Sequence, residues 1–460
     1  MQKIEAISIT KTFSLKFPNK MVQFGHQFKE KYFTQLDKDV VLLNHGSYGT
    51  TPTMVLDEQI KVVKEHEEYP DQFEYFTGGE KYIEQVQALA TYLGLSDLWK
   101  SIVLVNNATT GVNTVLRSFP WDFKKDKVLF HSTTYGACSN TVEFLHDYYG
   151  LQYEVVSLQY PMEDSEVVAR FEKKFQKGGF TMCMFDMITS MPGVTMPYKQ
   201  LTKLCTKYNV LSLIDAAHGV GLIDFGFIAT CKPTFVVSNL HKWLSTPKTS
   251  ALLYVDSKFH NVIQSIPISW NYHLEPSKPD MLLVEKFAKT GTISYSSYLC
   301  VKKAIEFRSN ICGGEESIRN YQILLREQAA PKICSIWTRN SKDQATLLEN
   351  STKTLSCPGM FSIRFPLDKQ KYKLVYEKLI TDASYYPKFF KKYTDLVIKK
   401  YKTYAPFSVH NKEIYVRFST QVFNEVDDFV VGAKLIQTVL DKLFDQETQR
   451  LTAEQKQSKL

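Results

Sequence analysis

The sequence predicts an α/β chain: a mainly parallel central sheet with helices on both faces, followed by a smaller α+β domain. Three observations predict it. Between residues 102 and 255 short apolar runs recur, separated by stretches of helical period, the pattern of repeated strand–helix–strand units. Those runs are apolar along their length, as strands covered on both sides must be. Beyond about residue 310 the texture changes to long helical stretches with two alternating strands.

At 460 residues the chain is long enough for about two or three domains. Residues 1–60 form an N-terminal segment whose first forty residues lack a clean period and are expected to wrap the surface of the main domain. The large domain spans 61–309. It opens on a helix in which Tyr82, Ile83, Val86, Leu89, Ala90 and Leu93 recur at helical spacing, stopped by Gly94. Strands follow at 102–105, 127–130, 180–185, 210–214, 235–237 and 251–255. Amphipathic helices lie between them, among them 112–119 and 197–208, the latter opened by Pro197. The small domain spans 310–445, with strands at 361–365 and 414–418. Residues 446–460 read as a polar, mobile tail.

The bulk numbers exclude several classes. Apolar content of 44% is a globular value, which sets aside disorder. A net charge of +8 is mild for this length, and pairs such as Lys391-Lys392 and Lys399-Lys400 are solvated faces rather than a nucleic-acid footprint. The eight cysteines form no C-x-x-C pair, so no zinc or dithiol site is indicated and reduced thiols are expected. No metal site is predicted. No run approaches the roughly 18 apolar residues a membrane span needs. The sequence closes on Ser458-Lys459-Leu460, a peroxisomal address when it is the free C-terminus. That predicts capture by a peroxisomal import receptor, with the cytoplasm as the alternative location.

Ligands in such sheets bind beyond the carboxyl ends of the strands. Three clusters fall there. Asn107-Ala108-Thr109-Thr110-Gly111 follows the first strand and opens a helix, where backbone N–H groups and hydroxyls can cradle a phosphate. Asp215 ends an apolar strand, a costly place for a carboxylate unless a cation such as a protonated pyridine faces it. His241-Lys242 follows the next strand; a lysine there can form an imine with an aldehyde and then move a proton. Each alone has an ordinary reading as cap, turn or solvated lysine. Together they supply phosphate cradle, pyridinium partner and imine lysine, in that order, on three separate loop ends.

At these residues the chain resembles the class V aminotransferase superfamily of fold-type I pyridoxal 5'-phosphate (PLP) enzymes. It is most similar to the branch of isopenicillin N epimerase-like and hercynylcysteine sulfoxide lyase-like proteins. The matching stretches are Leu43-Asn44-His45-Gly46-Ser47-Tyr48-Gly49, Asn107 to Asn113, Thr134-Tyr135, Ile188-Thr189-Ser190, Asp215-Ala216-Ala217-His218, His241-Lys242-Trp243, Gly291-Thr292, and Arg417 with Asn424. The resemblance implies that Thr109 and Thr110 hold the phosphate, helped by Asn239 and His241. It stacks Tyr135 on the cofactor, sets Ser190 close to the ring and puts His218 near the phenolic oxygen. Thr292 would reach the neighbouring subunit's phosphate, which implies a homodimer with shared sites. Arg417 would bind the substrate carboxylate, a task suited to a bidentate fork. Asn44, His45 and Ser47 would line the substrate side.

Within that resemblance the reaction is narrowed by an absence. Desulfurases add a nucleophilic cysteine shortly before the carboxylate arginine, and no cysteine follows Cys357. A β-eliminating C–S lyase needs only the base Lys242 and an acid for the leaving sulfur, for which Tyr135 is the candidate. The expected activity is therefore elimination on a cysteine conjugate or sulfoxide, as in ergothioneine biosynthesis. Class V transamination or epimerisation is the alternative. Persulfide-forming desulfuration and a non-catalytic binding protein are the minor ones, since a non-catalytic descendant would be expected to have lost Lys242 or Asp215.

Overall fold

A computed structural model describes residues 22–338 and 343–457. Among these residues the central sheet has seven strands: β1 (Ile102–Val105), β2 (Lys127–His131), β3 (Gln152–Val156), β4 (Met182–Asp186), β5 (Leu211–Asp215), β6 (Phe235–Asn239) and β7 (Ala251–Val255). Their order is β1-β7-β6-β5-β4-β2-β3. β7 runs antiparallel to both neighbours, and the other pairs are parallel. The reversal has a physical reason: residues 240–250 alone join β6 to β7, and a parallel crossover needs a dozen or more. That connection carries Lys242.

Side chains alternate across the sheet. Val103, Val128, Met184, Leu213 and Val237 pack on one face against α2 (Ala108–Ser118) and α3 (Gly136–Tyr149). Ile102, Leu129, Cys183, Ile214 and Val236 pack on the other, against α1 (Gly78–Tyr92), α4 (Asp164–Phe175) and α5 (Tyr198–Lys207). Both faces are therefore covered. The apolar runs had shown the strands; β3 escaped because Gln152 and Glu154 break its apolar run at an exposed sheet edge. The turn α6 (Leu240–Trp243) follows β6.

The smaller domain is an antiparallel sheet in which β8 (Met360–Phe365) pairs with β10 (Glu413–Ser419), and β9 (Phe407–His410) flanks β10. Residues Phe361, Ile363, Val416 and Phe418 bury one side of it against α7 (Glu315–Thr338), α8 (Tyr385–Lys399) and α9 (Val426–Gln457). Among the described residues no helix is long and apolar enough to cross a membrane.

One expectation is sharpened and one corrected. Residues 22–42 lie largely at the surface but are anchored in the core: Phe28 and Phe33 are buried, with Phe33 ring-packed on Phe307 and Phe423. Val41-Leu42 then pairs in parallel with Thr403-Tyr404, so this segment joins the two domains. Residues 446–457 are not a mobile tail; α9 continues through them. Leu451 is buried, and Glu447 accepts from Tyr385 (2.8 Å), Lys392 (2.5 Å) and Arg450 (2.7 Å), which ties the last turns down. Ser458-Lys459-Leu460 lies outside the described residues.

Candidate active site

The end of β1 and the start of α2 form the first part of the site. Asn107 caps the helix: its Oδ1 accepts from the Thr110 N–H (2.8 Å) and hydroxyl (3.1 Å). The Ala108 N–H donates to Asn239 Oδ1 (2.8 Å) and the Gly111 N–H to the Asn107 carbonyl (3.0 Å). Among the described residues the Thr109 N–H, at the positive end of α2, has no acceptor. Gly111 lets that end approach β6, because a Cβ there would come within 2.3 Å of Val237.

Asp215, at the end of β5, is 3% exposed, so its carboxylate must be satisfied inside the protein. Oδ1 accepts from the Ala217 N–H (2.9 Å) and Oδ2 from the Cys138 thiol (3.3 Å). Burial raises the Cys138 thiol well above its ordinary range, so it stays a donor. Asp186 pairs in register with Asp215 on β4, and its Oδ1 is buried with no hydrogen-bond partner. Burial pushes Asp186 up to about 6, against the pull of His131, whose Nε2 is 3.4 Å away.

Lys242 completes the row. Its Nζ lies 3.3 Å from His218 Nε2. Burial first, then the Arg417 charge, pushes the amine down to about 8, while Asp215 acts the other way. A larger share of Lys242 is thus free amine at neutral pH than for a solvated lysine. Its backbone is clamped. His45 Nε2 is 2.8 Å from the Lys242 carbonyl, and burial pushes His45 down to about 3, leaving it a neutral donor. Gly49, at φ +66°, comes so close that a Cβ would stand 1.9 Å from the His241 carbonyl oxygen. Arg308 is 4% exposed; it donates to the Trp243 carbonyl (2.5 Å) and the Gly221 carbonyl (2.9 Å) and forks onto Glu315.

Arg417, on β10, faces this row from the small domain and is 1% exposed. It donates to the Ser190 carbonyl (2.6 Å), Asn44 Oδ1 (3.0 Å) and Ser47 Oγ (2.7 Å), while its Nε has no partner. No carboxylate pairs with it among the described residues, and burial pushes it down to about 10. A buried guanidinium without a counter-ion is costly, and a ligand carboxylate would relieve it.

The fold therefore gathers Asp215, His218, Asn239 and Lys242 at the ends of adjacent β5 and β6, with Thr109 and Thr110 beyond β1, one strand removed, and Arg417, Ser190, Asn44 and Ser47 in a second group beside them. Tyr135 is half-exposed at the N-cap of α3, three residues before Cys138; burial pushes its phenol upward, so it keeps its proton. Other predicted residues are hydrogen-bonded within the protein. His45 is spent on the Lys242 backbone, so it braces the lysine rather than lining the substrate side. Asn239 directs its Oδ1 to the Ala108 N–H. His241 Nδ1 meets the Ser250 carbonyl at 3.0 Å, and burial pushes it down to about 4. Asn424 bonds the Leu42 carbonyl (2.9 Å), a link between chain segments. Thr292 is exposed and stands apart from the Lys242 row.

Cys138, Asp186 and Arg308 were not expected from the sequence. Asp186 carried a signal, since it ends an apolar run as Asp215 does; Cys138 and Arg308 carried none. No cluster of metal-ligating side chains occurs among the described residues.

The donor set fits PLP group by group: a helix start with an N–H lacking a protein acceptor for phosphate, a buried carboxylate for the ring nitrogen, and a lysine of lowered proton affinity for the aldehyde. Comparison with known proteins agrees. The chain is 29% identical over 416 residues to the hercynylcysteine sulfoxide lyase of Schizosaccharomyces pombe, covering 90% of this chain and 97% of that one. It is 27% identical to the L-cysteine desulfhydrase-like protein lolT1 of Epichloe uncinata, covering 93% and 98%. Among solved structures, the cystine C–S lyase C-DES in complex with cysteine persulfide superposes with a TM-score of 0.66 at 16% identity, over 89% of this chain and 98% of that one. A C-DES mutant with glycine covalently linked to its PLP gives the same score over 91% and 99%. At that identity the structures show the shared fold. The family model for class-V aminotransferases matches residues 79–358, more than half of the chain and all three strand ends of the Lys242 row, and the chain belongs to that PLP-dependent family.

Proposed function

We propose that this enzyme is a C–S lyase acting by β-elimination on a cysteine conjugate or sulfoxide. The observation that carries the reading is Arg417, a buried cation lacking a carboxylate, set beside a lysine biased toward free amine. Together they accept an α-amino acid by its carboxylate and its Cα proton. PLP, when bound, supplies the aldehyde that captures the substrate amine and the ring that takes up carbanion charge. Arg417 holds the carboxylate, with Asn44 and Ser47 fixing the guanidinium. Lys242 Nζ removes the Cα proton. Tyr135, kept protonated, donates to the departing sulfur. Cα–H and Cβ–S break, the electron pair leaves with sulfur, and water completes release of pyruvate and ammonia.

No thiol is placed to take the sulfur. Cys138 is bonded to Asp215, and Cys357 is buried and pushed up to about 11. The names of the relatives, a sulfoxide lyase and desulfhydrases, support the same chemistry. Purified enzyme given S-substituted cysteines should release pyruvate stoichiometrically with ammonia and with no keto acid added. Turnover only when a keto acid is supplied would make it an aminotransferase instead.

We also propose a homodimer with shared sites. Val63 and Ile293, both exposed, lie beside Thr292, and Tyr75 and Trp270 are exposed aromatic side chains, Trp270 by 96%; exposed apolar side chains of this kind suit a subunit contact. Lys289 lies over the Tyr75 ring at 5.3 Å. Light scattering should give twice the chain mass, and a monomer of full activity rejects the sharing. If Leu460 is the free C-terminus, deleting it should release tagged protein from peroxisomes; unchanged puncta would count against that address.

A further inference from the structure

We propose that Trp243 is a positioning residue: it locks His218 in the Nε2–H form, so that His218 donates a hydrogen bond into the Lys242 site. Trp243 Nε1 stands 3.2 Å from His218 Nδ1, and both side chains are 1% exposed. An indole N–H can only donate. His218 Nδ1 must therefore present its lone pair. Burial, with the Lys242 and Arg417 charges facing it, holds the imidazole neutral, which places its single proton on Nε2. That N–H points at Lys242 Nζ, 3.3 Å away.

The reverse tautomer would set two buried donors face to face at Nδ1 and leave a lone pair toward Lys242. The indole cannot turn away to relieve that. The Trp243 backbone carbonyl is held by Arg308 at 2.5 Å, and the indole ring packs on His45 with centroids 5.0 Å apart. A Cβ on Gly46 or Gly359 would come within 3.1 Å or 2.8 Å of the bicyclic ring, so both glycines clear room for it. Packing alone would need a large apolar side chain here; it would not need the N–H aimed at an imidazole nitrogen.

The consequence follows from the covalent structure of PLP. Joined to a lysine through its aldehyde, it carries its phenolic oxygen beside the imine nitrogen. A donor 3.3 Å from Nζ would be within reach of that oxygen and would stabilise its negative charge. The deprotonated chromophore concentrates more negative charge on the oxygen than the protonated one, so the donor lowers the pH at which the visible band titrates. Losing the donor raises it.

The test uses PLP-loaded wild type, Trp243→Phe, His218→Leu and the double variant, each titrated by absorbance. In Trp243→Phe the midpoint should rise by about one pH unit, with PLP still bound. In the His218→Leu background the same substitution should add no further shift, because Trp243 acts only through His218. A Trp243→Phe midpoint within about 0.2 unit of wild type overturns the proposal. A second measurement does not depend on the variant folding: nitrogen NMR of wild type labelled at histidine should show His218 Nε2 protonated and Nδ1 bare. The opposite assignment rejects the lock. Because this rests on Lys242 carrying PLP, a wild type with no visible band would sink that reading separately, and the NMR result would still decide the tautomer.

Discussion

Lys242→Ala protein, freed of unbound PLP, should lack the absorbance band of the lysine imine and should turn over at least ~10³-fold more slowly than wild type, the upper range for loss of a positioned proton carrier. The loss is expected in kcat rather than KM, since Arg417 would still hold the carboxylate. The same residue sets a pH dependence. With Lys242 near 8, the rate at which unloaded wild type captures PLP should climb about tenfold per pH unit below that value and level off above it. The sign follows from the nucleophile: only the free amine attacks the aldehyde, and burial disfavours the ammonium. A solvated lysine would keep accelerating past pH 9. Continued acceleration there, followed by stopped-flow absorbance, would falsify the claim that the site prepares its amine.

Arg417→Met should lower kcat/KM for amino-acid substrates by about 10²- to 10³-fold, mostly through KM, as two charge-assisted hydrogen bonds to the carboxylate disappear. Arg417→Lys should recover little, because an ammonium cannot fork. Stability should move the other way. The wild-type guanidinium is buried with no counter-ion, so an apolar side chain of similar length should leave the melting temperature of the substrate-free enzyme unchanged or raise it. Activity and melting temperature measured on the same preparations decide the matter. A large fall in both would mean that Arg417 holds the domains together and does not await a ligand.

Much of this site was legible because its chemistry sits at strand ends, where an apolar run stops at a polar residue. Asp215 and Lys242 stand out for that reason, and Asp186 carries the same signature. Residues that act through the backbone were not legible. His45 stood in a motif and read as a substrate contact, yet its imidazole serves the Lys242 carbonyl. Arg308 resembles any helix arginine until α6 is folded against it. The end of α9 misled for a related reason: Glu447, Arg450 and Glu454 read as solvent-facing, and only the Tyr385 and Lys392 side chains of α8 show why that turn is held.

By itself the sequence determined the doubly covered sheet, the order of its strand-end clusters and the lysine on which the chemistry turns. Periodicity and the chemical cost of burying a charge are local properties that a linear chain displays. Tertiary structure alone decided the states of those groups. A lysine gives up its proton more readily because burial and Arg417, 175 residues later, disfavour its charge. An imidazole acquires one tautomer because an indole N–H from the next strand end meets its Nδ1. Protonation depends on what surrounds an atom in space, and that is set only when distant segments close around it.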